Sequence, residues 1–110
     1  MVKQARKLIG KGKYDEAEAL LEKALSIEPG NARALLAVAK AAYQQNQTER
    51  ALDYAKKALA RSDSLAEAWL IKGAILLERG NRAEGVPAIQ RFLELDPNHK
   101  DAAAFRAMIQ

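Results

Sequence analysis

The chain has no cysteine, a single histidine, three prolines and few aromatic residues, 5% of the total. Without cysteine there are no disulfides, no thiolate zinc sites and no cysteine nucleophiles. With His99 alone, neither a histidine dyad nor a two-histidine metal site can form. The longest purely apolar runs are only a few residues, far short of the roughly 20 that a membrane-crossing helix needs. The opening stretch VKQARKLIGKGK holds no apolar segment of signal-peptide length.

What is present favours helices. Apolar residues make up 49% of the 110 positions, and alanine and leucine carry most of that share. Both are strong helix formers, and β-branched residues are few. A chain of this length holds one domain with one modest core. The net charge of +4 is uneven: residues 1–14 contain Lys3, Arg6, Lys7, Lys11 and Lys13 and no acid, and the remainder is close to neutral. A basic first helix attracts phosphate or an acidic partner when it is more than a solvated face.

The segments LSIEPGN (25–31) and LELDPNH (93–99) repeat one another, and Pro29 and Pro97 lie 68 residues apart, twice 34. Asp63, at the midpoint, starts a turn as proline does. Written in rows of 34, the chain aligns Gly12, Asn46 and Gly80, each just past a helical pattern, where a left-handed residue ends a helix. Ala5, Ala39 and Gly73 align, as do Ala17, Ala51 and Gly85. Such small residues in register mark close helix approaches. Ala24, Ala58 and Phe92 form another column, with Phe92 filling space at the end of the stack. The predicted helices are 2–10, 14–27, 32–45, 48–61, 66–79, 82–95 and 99–109.

These columns resemble the tetratricopeptide repeat family, whose unit is a 34-residue helix hairpin. The strongest match is EAWLIKGAILLERGNRAEG, with Trp69, Gly73, Leu76, Gly80 and Gly85 at the signature spacing and Pro97 closing the repeat. The middle row keeps Leu35, Ala39, Ala51 and Ala58; the first keeps Tyr14, Ala17, Ala24 and Pro29. The resemblance covers the whole chain. It implies an all-α, right-handed superhelix of three helix hairpins, spanning 1–31, 32–65 and 66–99, plus a closing helix over 99–109. Asn98 is its expected cap, with Asp101 complementing the helix dipole. The open first end, with no such cover, carries the expectation that these residues belong to a longer protein. Some residues depart from the family pattern. Lys72 replaces a large aliphatic, its stem packing while the ammonium reaches water. Pro87 interrupts the sixth helix and should bend it, with Gly85 loosening the same turn.

No catalytic constellation is present. GKGK (10–13) lacks the strand and Ser/Thr of a phosphate loop and reads as a hairpin turn. Asn46-Gln47-Thr48 spells a glycosylation sequon but falls in another such turn. Asp15, Glu18 and Glu22 share a helical stripe with no other hard ligand, which is the pattern of a solvated outer face. No cofactor and no metal is expected, and no enzyme activity.

In the family, the first helix of each hairpin lines the concave face that holds the ligand. The matching surface here runs through Val2, Arg6 and Ile9, then Arg33, Leu36, Ala37, Lys40, Tyr43 and Gln44. It continues through Glu67, Leu70, Ile71, Ala74, Leu77 and Glu78 to Phe105. Members that clamp the carboxyl-terminal tails of chaperones use lysine, asparagine and arginine on this surface. Here Val2, Ala37, Glu67 and Ile71 stand at four of those places and Arg6 replaces an asparagine, which argues against that use. The expectation is a protein–protein interaction module. It would bind a partner peptide or helix through apolar anchors at Leu36, Tyr43, Leu70, Ile71 and Leu77. Arg6, Arg33 and Lys40 favour acids at one end of that peptide. The rival expectation is a self-associating scaffold, a homo-oligomer within a larger assembly of bacterial envelope or secretion type. The lack of interleaved aromatics weighs against nucleic acid.

Overall fold

The computed structural model describes residues 1–110 as seven helices: α1 (Val2–Gly10), α2 (Tyr14–Ile27), α3 (Ala32–Gln44), α4 (Thr48–Arg61), α5 (Ala66–Glu78), α6 (Arg82–Leu95) and α7 (Ala102–Met108). The first six end within a residue of the sequence expectation. The reason lies in the turns. Gly12, Asn46 and Gly80 all adopt positive φ, +76°, +61° and +78°. The following residue in each turn, Lys13, Gln47 or Asn81, donates its N–H to the carbonyl of Leu8, Ala42 or Leu76 at 2.9, 2.9 and 2.8 Å. This double closure of a helix end around a left-handed residue stops the helix and reverses the chain. Gly80→Ala forces a Cβ into that conformation and should cost about 1–2 kcal/mol in urea unfolding. Asn46→Gly, which removes the Cβ instead, should cost nothing measurable.

Side-chain caps start α3 and α6. The Asn31 side chain accepts the N–H of Ala34 at 3.1 Å, and that of Asn81 accepts the N–H of Glu84 at 3.2 Å. Asn81 therefore serves α5 with its backbone and α6 with its side chain. In the linker midway between Pro29 and Pro97, the Asp63 carbonyl accepts the Trp69 indole N–H at 2.8 Å, fastening the linker to α5. The Lys72 ammonium lies 5.2 Å from the Trp69 ring centroid, so the stem packs and the charge stays at the surface over an aromatic face.

The hairpins α1–α2, α3–α4 and α5–α6 stack through contacts of α2 with α3 and α4 with α5, giving a body of 41 × 26 × 26 Å. The core sits at the joints between hairpins. One cluster joins Ala5, Ile9, Ala17, Leu21 and Ala24 to Ala34, Ala37, Val38 and Ala41; a second joins Ala39, Ala42, Ala51, Leu52 and Ala55 to Ile71, Ile75 and Leu76. Alanine makes up at least half of each, which is how helices pack closely with so few aromatics. At the last hairpin the columns switch strategy. Phe92 is fully buried, edge-on to Phe105 at 5.6 Å and to His99 at 5.0 Å between ring centroids.

Two local expectations are corrected. The closing helix starts at Ala102 with Asp101 as its cap residue, and no side chain caps it; Asn98 stays in the preceding turn. The His99 imidazole Nδ1 instead accepts the Asp101 N–H at 3.0 Å, holding 99–101 as a turn. Gly85 does not loosen α6: it is buried, and a Cβ there would meet the Leu77 side chain at 2.9 Å and the Leu77 backbone nitrogen at 3.1 Å. It is a close-approach glycine, and α6 runs unbroken past the exposed Pro87. No helix is long and apolar enough to cross a membrane.

Candidate functional site

The first helices of the hairpins, α1, α3 and α5, touch one another in a row, independently of their hairpin partners. Where they meet lies a cavity of about 280 Å³. Arg6 of α1 and Arg33, Leu36, Ala37 and Lys40 of α3 form one side of its lining. Ser64 and Leu65 of the preceding linker and Ala66 and Glu67 at the start of α5 form the other, with Asp96 just past the end of α6. Their placement follows from the helical period: Arg33, Leu36, Ala37 and Lys40 fall at i, i+3, i+4 and i+7 on α3, which is one face of a helix. A second depression beside it is lined by basic residues alone, Lys3, Arg6, Lys7 and Lys40.

The charges here are unevenly satisfied. Lys40 Nζ lies 3.0 Å from Glu67 Oε2, with both side chains more than a third exposed. Such a pair is screened by water and contributes little to stability. Arg6, Arg33, Lys3 and Lys7 have no acidic group within ion-pair distance. Four cations thus face the first end of the row without a counter-charge of the protein's own.

At the other end of the row the side chains are occupied. The Tyr43 hydroxyl donates to Glu78 Oε1 at 3.2 Å, linking α3 to α5, and the Tyr14 hydroxyl donates to Gln44 Oε1 at 3.0 Å, linking α2 to α3. Burial, the neighbouring negative charge of Glu78 and the hydrogen bond to it all raise the Tyr43 pKa above the usual tyrosine value. The folded protein therefore holds this proton more tightly than the unfolded chain does. The resulting stability is intact below about pH 10 and declines as pH rises through the folded value. In an absorbance titration of tyrosinate, Tyr43 should ionise above a free tyrosine. Tyr43→Phe should remove that step and shrink the loss of stability above pH 10.

Of the residues expected on this surface, the structure brings Arg6, Arg33, Leu36, Ala37 and Lys40 together around the cavity. Ile9, Ala37, Ile71 and Ala74 are only 3%, 2%, 4% and 9% exposed and belong to the core, so they offer a ligand almost no surface. Leu70 and Leu77 are half-buried, and the Leu77 side chain lies against Gly85 inside the hairpin. Tyr43 and Gln44 are held by Glu78 and Tyr14. Phe105 lies apart: α7 touches α6 alone, and its phenyl ring packs on Phe92 rather than continuing the row. Sequence reasoning missed Asp96, Ser64 and Leu65, which come from linkers, and Ala66, the first residue of α5; they reach the cavity only through stacking.

A row of hairpins sharing one concave helix face defines an all-α helical-repeat solenoid. A family model described as Tetratricopeptide repeat matches residues 8–75, and a second with the same description matches residues 66–99. The chain belongs to the tetratricopeptide repeat family. No curated protein matches it as a relative. Among solved structures it is similar to the first TPR of Spaghetti (RPAP3) bound to the HSP90 peptide SRMEEVD. That likeness has 26% identity over 96% of this chain and 87% of the other, with a TM-score of 0.83.

Proposed function

We propose that this domain is a non-catalytic interaction module that holds a segment of a partner protein along the row α1–α3–α5. The observation that carries this is the cavity where the three helices meet, with Arg6 and Arg33 lining it and lacking acidic partners. The similar solved domain, bound to the peptide SRMEEVD, supports the same use of the fold. The half-buried Leu36 and Leu70 supply apolar anchoring, and the free cations draw acidic residues to the α1 end. With few anchors and exposed charges, the affinity belongs in the micromolar range, about −8 kcal/mol.

The ligand differs in kind from an all-acidic tail. Glu67 puts a negative charge at one of the places where chaperone-tail binders of the family carry lysine, asparagine or arginine, and the buried Ala37 and Ile71 take two further clamp places.

Capture from a random peptide library tests the proposal, using the wild-type domain beside Leu70→Glu and Arg6→Glu variants whose helicity is verified by circular dichroism. Wild type should enrich peptides with spaced apolar residues and acids, and each variant should bind them at least about tenfold more weakly. Leu77→Glu is a poor choice, because Leu77 packs against Gly85 and its loss disturbs the hairpin. Equal binding by wild type and both variants would remove the concave row as the site. No capture, combined with concentration-dependent mass in light scattering, would make the domain a self-associating scaffold instead.

A further inference from the structure

The concave row has a charge direction. Its α1 end is cationic through Arg6, and α3 adds Arg33 and Lys40, whereas the far wall of the same cavity, formed by the start of α5 and the residue just past α6, carries Glu67 and Asp96. The only ion pair across the cavity is Lys40–Glu67 at 3.0 Å, and it is more than a third exposed on both sides. That pair opens at little cost, because water already screens it.

Consider what each kind of ligand does to it. An all-acidic segment draws in Arg6 and Arg33 but meets Glu67 and Asp96 at the far wall and is repelled there. An all-basic segment meets the reverse. A segment with acids at one end and a base at the other exchanges the weak internal pair for two pairs of its own. It places carboxylates on Arg6, Arg33 and Lys40 and its cation on Glu67 and Asp96. We infer that the groove selects a charge-alternating segment, acidic where it crosses α1 and α3 and basic where it reaches α5. This rests on the proposed use of the groove and adds the charge pattern of the partner. Adjacent packed helices lie about 8–10 Å apart, so α1 and α5 are separated by roughly 16–20 Å. An extended chain rises about 3.3–3.6 Å per residue, which puts the acid and the base about five residues apart. Glu67 is the specificity-determining residue of this arrangement, because it is the acid on the α5 wall that already pairs with Lys40 across the cavity, with Asp96 beside it.

Fluorescence anisotropy with three synthetic peptides tests this at low salt. All share a leucine-containing centre; one has acidic and basic ends, one has two acidic ends and one has two basic ends. Wild type should bind the mixed peptide about fivefold more tightly than the all-acidic one. Glu67→Gln should bring the two to near equality, and Glu67→Lys should reverse the order by a similar factor while circular dichroism stays unchanged. The all-basic peptide should bind weakest to wild type, through repulsion at Arg6 and Arg33. Raising the salt to about 1 M should erase the differences, because the screening length falls to about 3 Å. Wild type binding the all-acidic peptide as tightly as the mixed one would overturn the charge pattern. If Leu70→Glu still abolished that binding, the groove would remain the site. Binding of none of the three peptides overturns the inference as well, whereas mixed-peptide binding untouched by Leu70→Glu removes the groove itself.

Discussion

Phe92→Ala should lower the unfolding free energy by about 3–5 kcal/mol, a large share of the 5–15 kcal/mol a small domain has in total. Phe92 is fully buried and holds the two other rings of its cluster edge-on. In the first two hairpins the same column is Ala24 and Ala58, because the next hairpin comes close and supplies Ala34 and Ala68 against it. Against the third hairpin packs α7, seven residues long, and the larger ring fills the space between α6 and this short helix. Truncation to alanine leaves a void with no neighbour able to collapse into it. Because each hairpin of a solenoid contacts only its neighbours, the damage should be local. Hydrogen exchange should accelerate in α5, α6 and α7 and change little in α1 and α2. A loss below about 1 kcal/mol would mean that α7 docks without the ring cluster.

Gly73→Val is the second large effect, a destabilisation of about 3 kcal/mol from overpacking. A Cβ at this position would stand 2.6 Å from Ile89 Cδ1 and 3.1 Å from the Ile89 backbone nitrogen. Ile89 is itself fully buried, so it cannot swing into solvent to make room. In the other hairpins this column holds Ala5 and Ala39, in register with Leu21 and Ala55, whereas Gly73 alone stands in register with a β-branched residue, Ile89. Gly73→Ala should cost much less, since its gain in helix propensity of about 1 kcal/mol offsets part of the clash. Adding Ile89→Ala to Gly73→Val should recover part of the loss, a coupling that a double-mutant cycle reads directly. Purely additive losses would place the strain somewhere other than this crossing.

The helices were legible because three signals agree in each row: the apolar period, the small-residue columns and the left-handed turn residue. Gly12, Asn46 and Gly80 fix where helices end almost irrespective of tertiary context. The start of α7 was not legible, since Asn98 is a plausible cap by type and only the seating of His99 on Phe92 sets 98–101 as a turn. The face of each concave helix could likewise be read from spacing, which put Arg6, Arg33, Leu36 and Lys40 around one cavity. Depth could not. Whether Ile71 or Leu70 faces outward depends on how closely α3 and α5 approach, and alanine columns allow an approach that buries Ile71 and leaves Leu70 half open. Asp96 was invisible for a different reason: it lies in a linker, and no periodicity points a linker side chain toward a helix from an earlier hairpin. Tyr14 and Glu78 bind their partners 30 and 35 residues away, and nothing local in the sequence marks those pairs.

The most direct measurement is chemical-shift mapping of the labelled domain titrated with the strongest peptide from the library capture. The largest perturbations should fall on α1, α3 and the start of α5, centred on Arg6, Arg33, Lys40 and Glu67. Perturbations concentrated on the outer helices α2, α4 and α6, with that row silent, would contradict the assignment of the concave row as the binding face.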